Sequence, residues 1–134
     1  MVTQAKSLDE IISDITISIG IPANIIGSAY ISEAVKLVIE KPSVLSCITK
    51  ELYPTIANKY DTKVANVERG IRHAIEVAWS KNRIIGLNKI FNLNIYQESE
   101  KPCNSEFIAL LAERIPHIMK RMWVQRFSVE KIEL

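Results

Sequence analysis

The chain has 134 residues, about one ordinary domain, and 48% of them are apolar, enough for a buried core and too many for a disordered segment. Four glycines and five prolines are too few for the many tight turns of an all-β fold. Seventeen basic residues against fifteen acidic ones leave a formal charge of +2, so electrostatics has to act through where the basic groups sit rather than through their number.

Met1 to Glu10 lacks a basic stretch followed by an apolar run, which reads as no secretory signal. Leu8, Ile11, Ile12, Ile15 and Ile19 recur at helical spacing. Ser7 is the expected N-cap with Glu10 as its capping-box partner, and Gly20 and Pro22 stop the helix. A second helix is expected from about Asn24 to Glu40, with Ile26, Tyr30, Ala34, Leu37 and Val38 on one face. This most apolar region, Ile21 to Ile39, is interrupted by Asn24, Ser28, Ser32, Glu33 and Lys36 and cannot span a bilayer. The expectation is a cytoplasmic protein with no membrane partner.

Lys41-Pro42-Ser43 ends that helix, and a third is expected over roughly Val44 to Lys50, followed at once by Leu52 to Tyr60 with Pro54 starting or bending a turn. Cys47 is expected to pack beside Ile48. It and Cys103 form no CxxC pair and read as reduced thiols rather than a disulfide framework or a zinc site. Asp61-Thr62 makes a short turn, with Thr62 capping the longest helix, about Lys63 to Lys81, and Asn82 its exit. A short helix around Ile85 to Phe91 leads into a polar loop, Asn92 to Asn104, in which Leu93 to Tyr96 could be extended. Asn104 or Ser105 caps a final helix that Pro116 breaks or kinks. From His117 a tail carries four basic residues and a weak helical rhythm of Ile118, Met122, Trp123 and Phe127. The fold class is all-α.

The informative stretch is Leu52 to Trp79: short helix, tight turn, long helix, the outline of a helix-turn-helix. On the long helix Val64, Val67, Ile71, Ala74, Ile75 and Ala78 gather on a core side, with Trp79 at its edge and expected to pack. Nearly opposite lie Arg69, Arg72 and Glu76, with Asn66 and His73 beside them and Glu68 on the flank. Apart from Glu76 these lie in the first half of the helix, the half that a recognition helix points into the major groove. An arginine fork matches the O6 and N7 acceptors of guanine, and a glutamate accepts from the cytosine amino group. Asn66 could address adenine or a phosphate, and His73, Lys63, Lys50, Lys59, Lys81 and Arg83 could anchor phosphates. Thr49 to Arg83 holds seven basic and four acidic residues, a local excess of three.

The competing reading is a solvated face. Glu68 and Arg72 are four apart, as are Arg72 and Glu76, so both pairs could be surface ion pairs of about 0.3–0.5 kcal/mol each. The chain would then be a helical protein-interaction module with no DNA specificity. Gly70, inside the helix, has no packing reason legible in the sequence. His73 and Glu76 share a face, but no third ligand stands at metal spacing, no glycine-rich phosphate loop occurs and neither cysteine has an adjacent base, so no enzyme, metal or cofactor is expected.

Val67-Glu68-Arg69-Gly70-Ile71-Arg72-His73-Ala74-Ile75-Glu76-Val77-Ala78-Trp79 resembles the recognition helix of a known family: the C-terminal effector domain of the sporulation-initiating response regulator of endospore-forming bacteria, the stage-zero sporulation protein A. Ile19-Gly20-Ile21-Pro22-Ala23, Ser46 to Pro54 and Asn104-Ser105-Glu106-Phe107-Ile108-Ala109 add to the likeness, which covers about Leu8 to Ile115. It implies a compact six-helix transcription factor domain over residues 1–115, followed by a divergent tail over 116–134. It also implies double-stranded DNA as partner, read at a TGTCGAA-like box, with base contacts from Glu68, Arg69 and Arg72 and with His73 and nearby basic groups on phosphates. Ile84 to Tyr96 would correspond to the region that touches the RNA polymerase sigma factor, and the helix around Ala112 to the region of self-association on tandem boxes. Asn66 stands where the family more usually has arginine, and Gly70 where it has alanine. No receiver domain precedes the module in this sequence, so an isolated effector domain is expected, and neither Asp9 nor Asp14 is a phosphoacceptor.

Overall fold

The computed structural model describes residues 6–97 and 100–132, with side chains described through residue 122; the expectations for Trp123 and Phe127 therefore lie outside the described side chains. Six α-helices and no strand occur among the described residues. Helix α1 (Leu8–Ser18) opens on the expected capping box: the Ser7 hydroxyl accepts from the Glu10 amide at 3.2 Å, and the Glu10 carboxylate accepts from the Ser7 amide at 3.5 Å. Its stripe of Ile11, Ile12 and Ile15 is buried, and so is Ile19 beyond its end. Helix α2 (Ile26–Glu40) starts where Ile25, in an extended conformation, stands at the cap position without a side-chain bond. It is the central element, packed against α4 and α6.

The expected third helix is replaced by two tighter and looser turns in succession. Pro42–Cys47 winds as 3₁₀ and Ile48–Leu52 as a π turn, before α3 (Tyr53–Lys59) begins with Pro54 in its first turn, where its missing donor is harmless. At the junction the backbone of Cys47 leaves the helical region, with φ −134° and ψ 47°. Cys47 is consequently exposed, which corrects its expected burial beside Ile48.

Helix α4 (Val64–Ser80) follows the turn after α3, then come α5 (Gly86–Phe91) and α6 (Asn104–Ile132). Asp61, Asn82 and Asn92 take left-handed φ angles of 51°, 57° and 54° at the exits of α3, α4 and α5, a conformation that short polar side chains tolerate. Val67, Ile71, Ala74, Ile75 and Ala78 are buried as expected, whereas Val64 is 36% exposed at the helix start. The stretch Leu93 to Tyr96 pairs with no strand; instead the Asn88 amide oxygen accepts from the Ile95 and Tyr96 amides, and its nitrogen donates to the Tyr96 carbonyl. Pro116 does not end α6, which continues on both sides of it. The lost backbone bond is offset by Ile115, fully buried, and by Ile118 and Met119 packed against the core. Among the described residues no helix is long and apolar enough to cross a membrane.

Glycine lets the two central helices meet. A Cβ on Gly27 would lie 2.1 Å from the Gly70 carbonyl oxygen, and one on Gly70 would lie 2.8 Å from Tyr30 Cδ2. This is the packing reason for Gly70: the backbones of α2 and α4 approach where neither residue carries a side chain.

Charges link α1, α2 and α3. Lys36 pairs with Asp9 at 2.9 Å and Glu33 at 3.0 Å, and Lys59 pairs with Glu33 at 2.7 Å. Partial burial pushes the Glu33 carboxyl up, but hydrogen bonds from Lys59 and Lys36 outweigh it and hold it below the ordinary value; the Lys36 bond does the same for Asp9. Groups with depressed folded values stabilise above their unfolded values and lose that contribution as pH falls through the folded ones. The urea midpoint of Glu33→Gln is therefore expected to fall furthest below wild type near neutral pH. The gap should close as pH drops below 4.5, the ordinary glutamate value.

Candidate nucleic-acid interface

Helix α4 divides cleanly because its apolar and polar residues follow the 3.6-residue period. Its core stripe faces α2 and α3, and Asn66, Arg69, Arg72 and His73 are exposed on the far side, with Glu68 half-buried at the edge. Sequence spacing thus brings the three expected base readers onto one surface.

Their side chains are held in place by neighbours on the same helix. Arg72 Nη1 donates to Glu68 Oε1 at 2.6 Å. Arg69 Nη2 donates to Asn66 Oδ1 at 3.1 Å and its Nε to the Ala65 carbonyl at 3.3 Å. Asn66 Nδ2 in turn donates to Thr62 Oγ1 at 3.0 Å. Thr62 therefore anchors Asn66 rather than capping α4, whose cap position is Lys63 without a side-chain bond. Asn66, expected on a phosphate, is occupied in orienting Arg69. The Glu68–Arg72 pair is one of the two that the solvated-face reading anticipates, the other being replaced by a Glu76–Lys101 pair, and at half-exposed groups it holds the two together by only about 0.3–0.5 kcal/mol. Such a pair opens readily for a stronger acceptor.

The expected phosphate anchors separate into two groups. Among the described residues Lys50, Lys63, His73 and Arg83 are exposed and carry no ion pair. Lys59 is bound to Glu33 on α2. Lys81 donates to the Gly20 carbonyl at 2.9 Å, and the stems of Lys81 and Arg83 lie over that glycine. Lys81 also stands about 25 Å along the helix axis from the first turn of α4, at 1.5 Å per residue.

A groove of about 500 Å³ runs beside the readers, lined by Thr49, Tyr53, Glu68, Arg72, Lys101 and Asn104 among others. Sequence reasoning missed its far wall. Lys101 pairs with Glu76 at 3.2 Å and stands 5.5 Å from the centre of the Trp79 ring. Trp79, expected to pack, is 39% exposed at the edge of the stripe. Asn104 or Ser105 was expected to cap α6, yet the Cys103 carbonyl takes the first bond, from the Phe107 amide at 3.0 Å, and α6 starts at Asn104 itself. Its amide nitrogen reaches across to Tyr53 Oη at 3.0 Å and the Glu68 carbonyl at 3.1 Å. Burial pushes the Tyr53 phenol up, against the pull of the Asn104 bond, so the phenol remains protonated at neutral pH.

Residues 84–96 expose Ile85 and Ile95 at 37% and 51%. On α6, Ala112 is buried while Glu113, Pro116 and His117 are exposed. Residues 12–115 of the chain match the family model described as "Sporulation initiation factor Spo0A C terminal".

Proposed function

The chain belongs to the family of sporulation initiation factor Spo0A C-terminal domains, DNA-binding effectors of sporulation, and from that premise we propose that it reads a TGTCGAA-like box in the major groove with α4. In this reading α3, the turn after it and α4 act as a helix-turn-helix. The observation that carries it is the display of two guanidinium groups and a carboxylate from the exposed first half of α4. Arg69 and Arg72 each present a fork to guanine, and Glu68 accepts from a cytosine amino group. Their bonds to Asn66 and Glu68 orient the forks before DNA arrives and limit the side-chain entropy lost on binding.

Lys50, Lys63 and His73 are the phosphate anchors best placed for this pose, with Arg83 further along the surface. Lys59 and Lys81 join them only by exchanging Glu33 and the Gly20 carbonyl for phosphate oxygens. Asn66 supports Arg69 first and a phosphate second. The protein acts in the cytoplasm on duplex DNA. Exposed Ile85 and Ile95 suit the segment 84–96 to docking on an RNA polymerase sigma factor. Self-association on tandem boxes would use the exposed residues around Ala112 rather than its own buried methyl group.

Titration of a labelled duplex carrying the box against a scrambled duplex tests the reading. A clear preference for the box is expected; equal affinity for both removes it. Lys63→Ala should weaken both duplexes alike and lower the salt slope by about one, as measured by repeating the titration across ionic strengths.

A further inference from the structure

The geometry points to Asn104 as a positioning residue that fixes the reading face of α4 against the body of the domain, an inference that rests on the DNA-reading role of α4. An asparagine at a helix start normally turns its side-chain oxygen onto its own first-turn amides. Here the Cys103 carbonyl already receives the Phe107 amide, and the two hydrogens of Asn104 Nδ2 are spent elsewhere. One goes to Tyr53 Oη, at the first residue of α3, and the other to the Glu68 carbonyl in α4. A single amide group thereby joins the starts of α3 and α6 to the middle of the reading surface.

The acceptor chosen matters. The Glu68 carbonyl belongs to the peptide that joins Glu68 to Arg69. A helix carbonyl also accepts from the amide four residues on, here that of Arg72, and its second lone pair is open to a side chain. The tether therefore grips the backbone at the peptide that joins Glu68 to Arg69 and that accepts the amide of Arg72. Apolar packing of α4 on α2 and α3 is non-directional, whereas a hydrogen bond fixes both distance and angle. Among the described residues, Asn104 makes the only side-chain hydrogen bond that the α4 backbone receives from another helix. Base reading needs side chains held to about 0.5 Å, so a directional bond at this point governs the reading more than the fold.

Asn104→Ala removes both bonds, while Tyr53→Phe removes one and leaves the bond to Glu68. Both variants are titrated with the box and scrambled duplexes beside wild type, after a circular-dichroism melt at the working temperature. The expected result is a fall of about tenfold in the box-to-scrambled affinity ratio for Asn104→Ala, of the size of one net hydrogen bond. Tyr53→Phe should lie between that value and wild type. An unchanged ratio, or an equal loss on both duplexes, overturns the positioning role, because a merely structural residue lowers the folded fraction without changing selectivity. If Asn104→Ala fails to fold, Asn104→Leu, which keeps the side-chain volume and loses both bonds, takes its place: a reduced ratio supports the inference, an unchanged one overturns it. Wild type that does not distinguish the duplexes overturns the DNA-reading role itself, and that outcome is seen before any variant is compared.

Discussion

Gly27→Ala is expected to destabilise the protein by about 3 kcal/mol and to lower the thermal midpoint by roughly 10 °C at this chain length. The added methyl carbon would lie 2.1 Å from the Gly70 carbonyl oxygen, 2.9 Å from the Gly70 carbonyl carbon and 3.0 Å from Ala74 Cβ. Two of those atoms are backbone, so no rotamer change relieves the clash and α2 must move away from α4. Separation of these helices opens voids along Ile31, Ile71 and Ala74, all fully buried, and loosely packed cores lose stability in proportion to the void. Gly70→Ala makes a useful contrast. Its nearest obstacle is the Tyr30 ring, 2.8 Å away, which can swing. The ring's edge-on contact with Tyr60, centroids 5.2 Å apart, resists the swing by about 0.5–1.5 kcal/mol. Alanine recovers about 1 kcal/mol of helix propensity over glycine. The net change at Gly70 should therefore be small, within about 1 kcal/mol. Calorimetric or urea unfolding of both variants checks the pair, and a Gly27→Ala midpoint close to wild type would refute the backbone-clash account.

Arg72→Ala should cost about 1–3 kcal/mol in affinity for the box, roughly five- to 150-fold, and much less on scrambled DNA. The guanidinium is half exposed and its structural partner is Glu68, one turn earlier. Its removal takes away a surface ion pair of about 0.3–0.5 kcal/mol, so the thermal midpoint should barely change. A large loss of selectivity with unchanged stability separates a base-reading arginine from a fold-supporting one. Arg72→Lys sharpens the test: the charge stays, while the planar fork that grips two guanine acceptors is lost. Competition titrations should place the lysine variant near alanine on the box and near wild type on scrambled DNA. If lysine restores box affinity, Arg72 acts as a point charge on phosphate, and the base contact assigned to it is wrong.

Much of the site was legible before any coordinates. The 3.6-residue period in Val67, Ile71, Ala74, Ile75 and Ala78 set the buried face of α4 and, by subtraction, the exposed one with Arg69 and Arg72. Capping chemistry placed the start of α1 at Ser7, and the exit at Asn82 followed from its tolerance of left-handed φ. These features depend on residues within one or two turns of each other, and local sterics and amphipathic spacing are written in consecutive residues. The family likeness suggests roles for particular side chains, which periodicity alone leaves open between a reading face and a solvated one.

What the chain order could not supply is decided by groups far apart along it. The amide of Asn104 finds an acceptor 51 residues away in Tyr53, and the ammonium of Lys81 one 61 residues away in Gly20. Gly70 gains its reason only when Gly27 and Tyr30 stand against it, and Lys59 is withdrawn from solvent duty by Glu33 on another helix. Cys47 turns outward because Pro42 to Leu52 is wound too tightly and then too loosely for a regular helix, and α6 runs past Pro116 because the body of the domain buries Ile115 beside it. A sequence fixes which faces are apolar and where helices begin and end, since those are short-range properties. Which polar groups remain free to meet a ligand is set by packing, since each buried donor must find its acceptor wherever the fold brings one.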